Sequence, residues 1–216
     1  MELVIENCTK VINKKTVLEH INMRCSSGKI YGVMGENGSG KTMLLKAISG
    51  LIKVDKGHIW IDDKEIRKDI DNPESIGVLI ESPTFIEKYT GYKNLRLLAS
   101  LDAKIKEKDI CDVLQKVGLE KGDSRNYAKY SLGMKQRLGI ACAFMGSPQL
   151  ILLDEPFNAL DEDSAKRIRK MIIDAKNKGS LIILACHDHE EVVSLSDEIY
   201  YMKAGKITNH EIIGLG

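Results

Sequence analysis

The chain has 216 residues, of which 43% are hydrophobic and 29% are charged. This composition is typical of a globular protein and excludes disordered, collagen-like and disulfide-scaffold classes. The 32 basic and 31 acidic residues leave a formal net charge of +1, so no overall field attracts a polyanion, and we expect no nucleic-acid partner. The length suits one domain that carries a sizeable insertion.

No segment of the sequence is typical of a secretion signal or of a membrane-spanning helix. The longest apolar run, residues 181–186, has the length of a strand, and the first six residues lack a basic region followed by an apolar one. We therefore expect a cytoplasmic location. The cysteines are odd in number and form no C-x-x-C pair, which predicts reduced thiols in the core. They are Cys8, Cys25, Cys111, Cys142 and Cys186.

The first part of the chain is predicted to form mainly strands, because apolar residues alternate or run continuously over short stretches. These strands cover residues 3–6, 17–23, 29–34, 58–61, 64–66 and 76–80. One helix is predicted over residues 44–51, where apolar residues recur at helical spacing.

From residue 83 to residue 130 charges are dense and the apolar spacing is helical, which predicts a helical insertion. Strands and helices then alternate, which indicates a parallel sheet. The predicted elements are a helix from Met134, a strand over 150–153, a helix over 161–178, a strand over 181–185 and a hairpin over 200–208. We expect a single α/β domain, 1–216, with the helical insertion 83–130 between the core segments 1–82 and 131–216.

A glycine-rich motif follows the strand that ends at Met34 and precedes the predicted helix. It fits the pattern G-x-x-x-x-G-K-[ST] and consists of Gly35, Glu36, Asn37, Gly38, Ser39, Gly40, Lys41 and Thr42. Such a loop surrounds phosphate oxygens with backbone N–H groups, while Lys41 supplies a positive charge and the Thr42 hydroxyl holds Mg²⁺. The alternative is a plain glycine turn; a dinucleotide motif is excluded by the glycine spacing.

The apolar strand 150–153 ends in two carboxylates, Asp154 and Glu155. This is the form of a Walker B element, in which one acid orients Mg²⁺ and the next polarises water. We expect Asp154 to contact Mg²⁺ through a water molecule and Glu155 to act as the general base.

Further motifs make the chain resemble a known family. The segment 130–137, Tyr-Ser-Leu-Gly-Met-Lys-Gln-Arg, occurs together with Asp154-Glu155-Pro156, with Ala159-Leu160-Asp161 and with His187. In this order the motifs resemble those of the ATP-binding-cassette (ABC) ATPases, specifically the nucleotide-binding subunit of a transporter. The resemblance extends from the first strands to about Gly205. It implies a P-loop NTPase fold with a mainly parallel core sheet, an N-terminal antiparallel β subdomain and an inserted α-helical subdomain.

The resemblance also implies roles for residues outside the P-loop. Ser131 and Gly133 match the signature segment that caps the γ-phosphate bound by the opposite subunit, although Leu132 replaces its first glycine. Asp161 matches an acid that reaches across the dimer, and His187 matches the histidine that touches the γ-phosphate. Locally, Ser131 and Asp161 are equally well explained as helix caps. A metal site formed by His187, His189 and Glu190 is not favoured by their spacing.

Two positions depart from the family pattern. Glu81 stands where the family usually has a glutamine that couples Mg²⁺ to the membrane partner, and we expect it to contact the metal; the alternative is a neutral surface acid. This glutamate resembles the lantibiotic and bacitracin immunity branch. Ile12 or Val11 replaces the aromatic residue that stacks on adenine, which predicts modest nucleotide affinity and weak discrimination among purine triphosphates.

The resemblance implies an ATPase that uses ATP and Mg²⁺ and drives export of, or immunity to, a peptide antibiotic or a similar amphiphile. It would pair with a second copy or a similar cassette and would lie on the inner face of the cell membrane through a separate permease, contacted by residues 83–94. One alternative is a soluble cassette protein that acts on ribosomes or DNA, although the expected second cassette or long coiled coil is missing. Another is a nucleotide switch that does not hydrolyse ATP.

Overall fold

The computed structural model describes residues 1–81 and 84–213. Its strands are β1 (Glu2–Ile12), β2 (Lys15–Ser26), β3 (Ile30–Met34), β4 (Lys56–Ile61), β5 (Lys64–Glu65), β6 (Ile76–Leu79), β7 (Leu150–Asp154), β8 (Leu181–Cys186), β9 (Glu198–Lys203) and β10 (Lys206–Ile212). Its α-helices are α1 (Lys41–Ile48), α2 (Gly91–Ala99), α3 (Glu107–Lys116), α4 (Leu132–Phe144), α5 (Glu162–Asn177) and α6 (His189–Leu195).

The strands form two sheets. A four-stranded antiparallel sheet has the order β2-β1-β4-β5, and a six-stranded sheet has the order β10-β9-β3-β8-β7-β6. All neighbouring pairs of the larger sheet are parallel except β9 and β10. The predicted fold class, an α/β fold with a mainly parallel sheet, an antiparallel β part and inserted helices, is confirmed.

The large sheet separates two hydrophobic cores, which explains why its central strands are continuously apolar. On β7, Leu150 and Leu152 face the core shared with the antiparallel sheet and α1, whereas Ile151 and Leu153 face the core shared with α2, α3, α4 and α5. Burying each such side chain contributes about 1.5–3 kcal/mol. The two cores hold β7 from both sides and so fix the position of the carboxylates at its end.

Helix α4 packs very closely on the edge strand β6. A Cβ atom added to Gly77 would collide with the carbonyl oxygen of Ala143, near the C-terminal end of α4. Glycine at this position therefore lets the backbone of the helix touch the backbone of the strand.

The predicted elements differ from the structure mainly at their ends. The apolar stripe predicts a first helix that reaches Leu51, but α1 ends at Ile48 and Leu51 is 61% exposed. Gly50, in the left-handed region with φ of 76°, ends this helix. Helix α6 was missed because seven residues are too few to show a periodic pattern; its N-terminus is capped by the Asp188 carboxylate, which accepts from the Glu191 N–H.

Residues 84–130 contain α2, α3 and a 3₁₀ turn at Tyr127–Lys129, and within them β pairing is limited to an isolated bridge between Thr90 and Asn126. The predicted start of the insertion, Pro83, and the preceding residue, Ser82, lie outside the described residues. The division into core and insertion therefore stays a prediction.

Within the described part of the chain, no helix has both the length and the apolar character needed to cross a bilayer. The longest, α5, has 16 residues and carries charges along its exposed side.

Candidate nucleotide-binding site

The carboxyl ends of three adjacent parallel strands place the candidate residues at one edge of the sheet. Met34, the last residue of β3, pairs with Cys186, and Asp154, the last residue of β7, pairs with Ala185. This register brings the glycine-rich loop, the Asp154–Glu155 pair and His187 to the same level. Ligands of open α/β sheets bind at such an edge.

The glycine-rich loop closes directly onto the N-terminus of α1. Gly40 has a φ of 110°, which L side chains rarely adopt, and its carbonyl accepts the N–H of Leu44 at 2.9 Å. Lys41 is only 6% exposed; its Nζ donates to the carbonyls of Gly35 at 2.6 Å and Glu36 at 3.3 Å. The loop thus holds a buried ammonium group beside backbone N–H groups at a helix N-terminus, which suits an anion.

The Thr42 hydroxyl contacts the buried carboxylate of Asp154. Thr42 Oγ1 donates to Asp154 Oδ2 at 2.7 Å, and Asp154 is 7% exposed. Burial and the nearby charge of Glu155 raise the pKa of the Asp154 carboxyl, against the hydrogen bond from Thr42 and the charge of Lys41. Mg²⁺ binds oxygen ligands, and the Thr42 hydroxyl and the Asp154 carboxylate place two such oxygens side by side.

Glu155 lies between a lysine and a histidine. Its Oε1 is 3.6 Å from Lys41 Nζ, too long for a hydrogen bond, and its Oε2 is 2.8 Å from His187 Nδ1. Oε1 is buried and has no hydrogen-bond partner within the described residues. The backbone of Glu155 is left-handed, with a φ of 48°.

Glu81 borders the same site, and its carboxylate is bound by a lysine. Its Oε1 accepts from Lys46 Nζ at 2.6 Å, and the side chain is 62% exposed. Its backbone N–H donates to the Asp154 carboxylate, and this hydrogen bond acts to lower the pKa of that carboxyl. Thus the backbone of Glu81 touches the predicted Mg²⁺ ligand, while its side chain points to Lys46.

These residues open onto a cleft of about 860 Å³, a volume that suits a small-molecule ligand. Gln136 and Ala159, which belong to the quoted motifs, also line it, but several other lining residues carried no signal in the sequence, namely Lys15, Thr16, Val17, Ala204 and Gly205. They come from the start of β2 and from the turn between β9 and β10, far from the motifs in the chain. Ile12 is 36% exposed at the end of β1 and, among the described residues, is not part of the cleft lining.

The signature segment forms the N-terminal tip of α4. Ser131 is exposed, and its Oγ accepts from the Met134 N–H at 3.2 Å, which caps the helix. Leu132 is 70% exposed. A Cβ atom on Gly133 would lie 2.8 Å from the carbonyl oxygen of Ala159. Gly133 therefore allows the tip to approach the loop after β7 within the same chain.

Asp161 and His187 occupy different surroundings. The Asp161 carboxylate caps α5 by accepting the Ser164 N–H at 2.8 Å, and this hydrogen bond lowers its pKa. His187 is 51% exposed and borders a second cleft of about 690 Å³ on the other side of the glycine-rich loop. The structure thus brings His187 to the first site through Glu155, whereas Asp161 and Ser131 face outward.

The sequence is similar to transport proteins over nearly its whole length. It is 42% identical to an uncharacterized ABC transporter ATP-binding protein of Bacillus subtilis, over 95% of this chain and 94% of that protein. It is 37% identical to a lantibiotic transport ATP-binding protein of Streptococcus pyogenes, over 95% and 88% of the two chains. It is also 37% identical to a bacitracin transport ATP-binding protein of Enterococcus faecalis, over 96% and 68%. The predicted resemblance to this branch is confirmed.

Solved structures share the fold. The structure resembles the ATP-binding subunit of an ABC transporter with a TM-score of 0.88 and 27% identity, over 98% of this chain and 90% of the other. It resembles a bacterial ABC transporter cassette, solved as a dimer, with a TM-score of 0.89 and 25% identity, over 98% and 99%. Residues 18–158 match the family model described as ABC transporter. The chain therefore belongs to the ABC transporter family, as one of its ATP-binding subunits.

Proposed function

We propose that this subunit hydrolyses ATP with Glu155 as the general base, and that two copies and a separate permease use this reaction to move a peptide antibiotic across a membrane. The position of Glu155 carries the proposal. Its carboxylate lies between the Lys41 ammonium and the His187 ring, at a strand end that faces the cleft. A general base needs to be within reach of the attacking water, and a fixed backbone supplies that position.

Lys41 and His187 act on either side of this base. Lys41, freed from the carbonyls of Gly35 and Glu36, can turn its ammonium group to the β- and γ-phosphates. His187, hydrogen-bonded to Glu155 Oε2, holds the carboxylate in one orientation. Its exposed edge can contact the γ-phosphate or the water.

The donor set at Thr42 and Asp154 supports a Mg²⁺ site next to the phosphates, since both oxygens are adjacent and the carboxylate is buried. When bound, Mg²⁺ neutralises charge on the β- and γ-phosphates. Glu81 is the third proposed contact; it reaches the metal only after leaving Lys46, which holds it at 2.6 Å.

The tip of α4 supports a dimeric arrangement. Ser131 is exposed and is not among the residues that line its own cleft, so its hydroxyl and the helix N-terminus are available to the phosphate bound by a second copy. Gly133 and Asp161 are the other two residues proposed to face the second copy. The dimeric relative of known structure supports this arrangement. The permease is proposed to contact residues 83–94, of which residue 83 is outside the described part, and would hold the subunit at the membrane.

A peptide antibiotic as cargo is supported by the relatives whose names include lantibiotic and bacitracin transport. Residues that contact cargo belong to the permease. Copurification of the membrane subunit from the native cell, followed by ATPase assays with candidate antibiotics, tests this part of the proposal. We expect stimulation of hydrolysis by a lantibiotic or bacitracin; equal stimulation by chemically unrelated amphiphiles would contradict it.

Substitution Glu155→Gln tests the catalytic role. The amide keeps the shape of the side chain but is not basic, so we expect phosphate release to fall by about 10²–10⁴-fold while ATP still binds and holds two copies together. Phosphate release by the unmodified chain separates an ATPase from a non-hydrolytic switch. Undiminished turnover in Glu155→Gln would remove Glu155 from its proposed role.

A further inference from the structure

The buried thiol of Cys186 adjoins the candidate catalytic residues and has no role in the proposed hydrolysis. Cys186 ends β8 directly before His187 and is 3% exposed. Its Sγ accepts a hydrogen bond from the Asp188 N–H at 3.4 Å. One ligand atom each from Glu155, Cys186 and His187 lie within 4.8 Å of one another. Three different metal-binding groups therefore converge on one point.

A thiolate, an imidazole and a carboxylate together form a donor set that suits Zn²⁺. Zinc bonds of roughly 2.0–2.3 Å place the ligands of a tetrahedral ion about 3.5 Å apart. Small rotations of the side chains would close the observed separations to that geometry. The carboxylate oxygen Glu155 Oε1, buried without a hydrogen-bond partner in the described part of the chain, is available as a ligand.

The local charges also favour a divalent cation. The two carboxylates, Asp154 and Glu155, face one ammonium group, that of Lys41, which lies 3.6 Å from Glu155. The negative charges therefore outnumber the positive charge. Burial, and then the charge of Glu155, raise the pKa of the Cys186 thiol to about 12. The thiol is therefore protonated in the metal-free protein, and its proton passes to solvent as the sulfur–metal bond forms. The resulting thiolate adds the second net negative charge that a divalent ion neutralises.

We propose that Glu155, Cys186 and His187 bind a thiophilic divalent cation, namely Zn²⁺. This site is separate from the oxygen ligands Thr42 and Asp154, because Mg²⁺ prefers oxygen and a thiolate selects softer ions. Bound Zn²⁺ occupies the carboxylate and the imidazole that hydrolysis needs, so it inhibits the ATPase. The inhibition rests on the proposed function, whereas metal binding does not.

Titration of the full chain with Co²⁺, after removal of any affinity tag and in the absence of nucleotide, tests the site. We expect a thiolate-to-cobalt charge-transfer absorption that saturates at one equivalent and disappears on addition of Zn²⁺. Cys186→Ser should lose this absorption. Cys111→Ser, which removes a half-buried thiol on α3, should retain it. Circular dichroism of each variant verifies the fold. Absence of the absorption in the unmodified chain, or its persistence in Cys186→Ser, would overturn the proposal.

A second measurement separates this site from the proposed hydrolysis. Phosphate release with excess Mg²⁺ and ATP is measured as Zn²⁺ is added, and we expect inhibition of at least tenfold that Cys186→Ser weakens by at least tenfold. Cobalt absorption without inhibition would support the metal site and contradict the roles of Glu155 and His187. Hydrolysis without any cobalt absorption would support the proposed ATPase function and refute the metal site.

Discussion

The cleft at the end of the parallel strands and the tip of α4 differ in how their polar groups are partnered. In the cleft, Lys41 and Asp154 are buried and hydrogen-bonded to neighbouring groups. At the tip of α4, Ser131 and Leu132 are exposed. Buried charged groups are stable only with partners. The N–H groups of an exposed helix N-terminus can instead be solvated by water until an anion binds. One chain thus carries a cleft with buried, partnered charges and an exposed helix tip, of which Leu132 lines the cleft whereas Ser131 does not.

Among the changes that compare these two regions, removal of the buried cation of the cleft has the largest expected effect. Lys41→Ala leaves two P-loop carbonyls and Glu155 without their positive partner, so we expect phosphate release to fall by about 10²–10³-fold. ATP binding should weaken as well. Lys178→Ala, at the exposed C-terminal end of α5, is the matched control and should retain activity. Unchanged binding and turnover in Lys41→Ala would show that the cleft is not the nucleotide site.

The exposed tip can be tested without unfolding its helix. Ser131→Asp keeps a carboxylate cap at the N-terminus of α4, so thermal stability should hold. The negative charge would repel the phosphate of a second copy, and we expect loss of ATP-dependent dimers in sedimentation and at least a tenfold fall in hydrolysis. Ser131→Asn, a neutral cap, is the control. Normal dimers in Ser131→Asp would contradict a phosphate contact at the tip.

Gln136 connects the two regions, and its removal should have an intermediate effect. Gln136 Nε2 donates to the carbonyls of Glu155 and Pro156, each at 3.1 Å. Gln136→Met keeps the length of the side chain but leaves these carbonyls without that donor, so we expect the free energy of unfolding to fall by about 1–2 kcal/mol. Urea denaturation measures the change, and Gln115→Met on the exposed side of α3 serves as the comparison. Equal stability of the two variants would show that this connection contributes nothing.

The smallest predicted effect concerns the contact with the adenine ring of ATP. Ile12→Tyr would restore an aromatic ring at the end of β1, and stacking should tighten ATP binding by about 1 kcal/mol, or roughly fivefold. Val11→Tyr is the matched variant, because successive side chains of a strand point to opposite faces. Equilibrium titration with ATP and GTP measures both. If Val11→Tyr shows the gain and Ile12→Tyr does not, the assignment of Ile12 is wrong.

The parts of the fold that local sequence encodes were predictable. The strand before Gly35 and the strands ending near Glu155 and His187 combine an apolar run with a polar terminus, and parallel strands bring such ends together. The contacts of Glu81 with Lys46 and of Gly133 with Ala159 join residues that are far apart in the chain. Neither has a periodic signal. The thiol of Cys186 gave no signal either, because a lone cysteine in a strand is usually core.

The contact between Gly77 and Ala143 constrains how α4 can move. Because the helix backbone rests on β6 there, a methyl group at position 77 would collide with the Ala143 carbonyl, and the C-terminal end of α4 would have to move away from the strand. The N-terminal part of α4 is held separately, since Gln136 donates to the carbonyls of Glu155 and Pro156. Gly77→Ala should therefore change the angle at which α4 crosses the sheet.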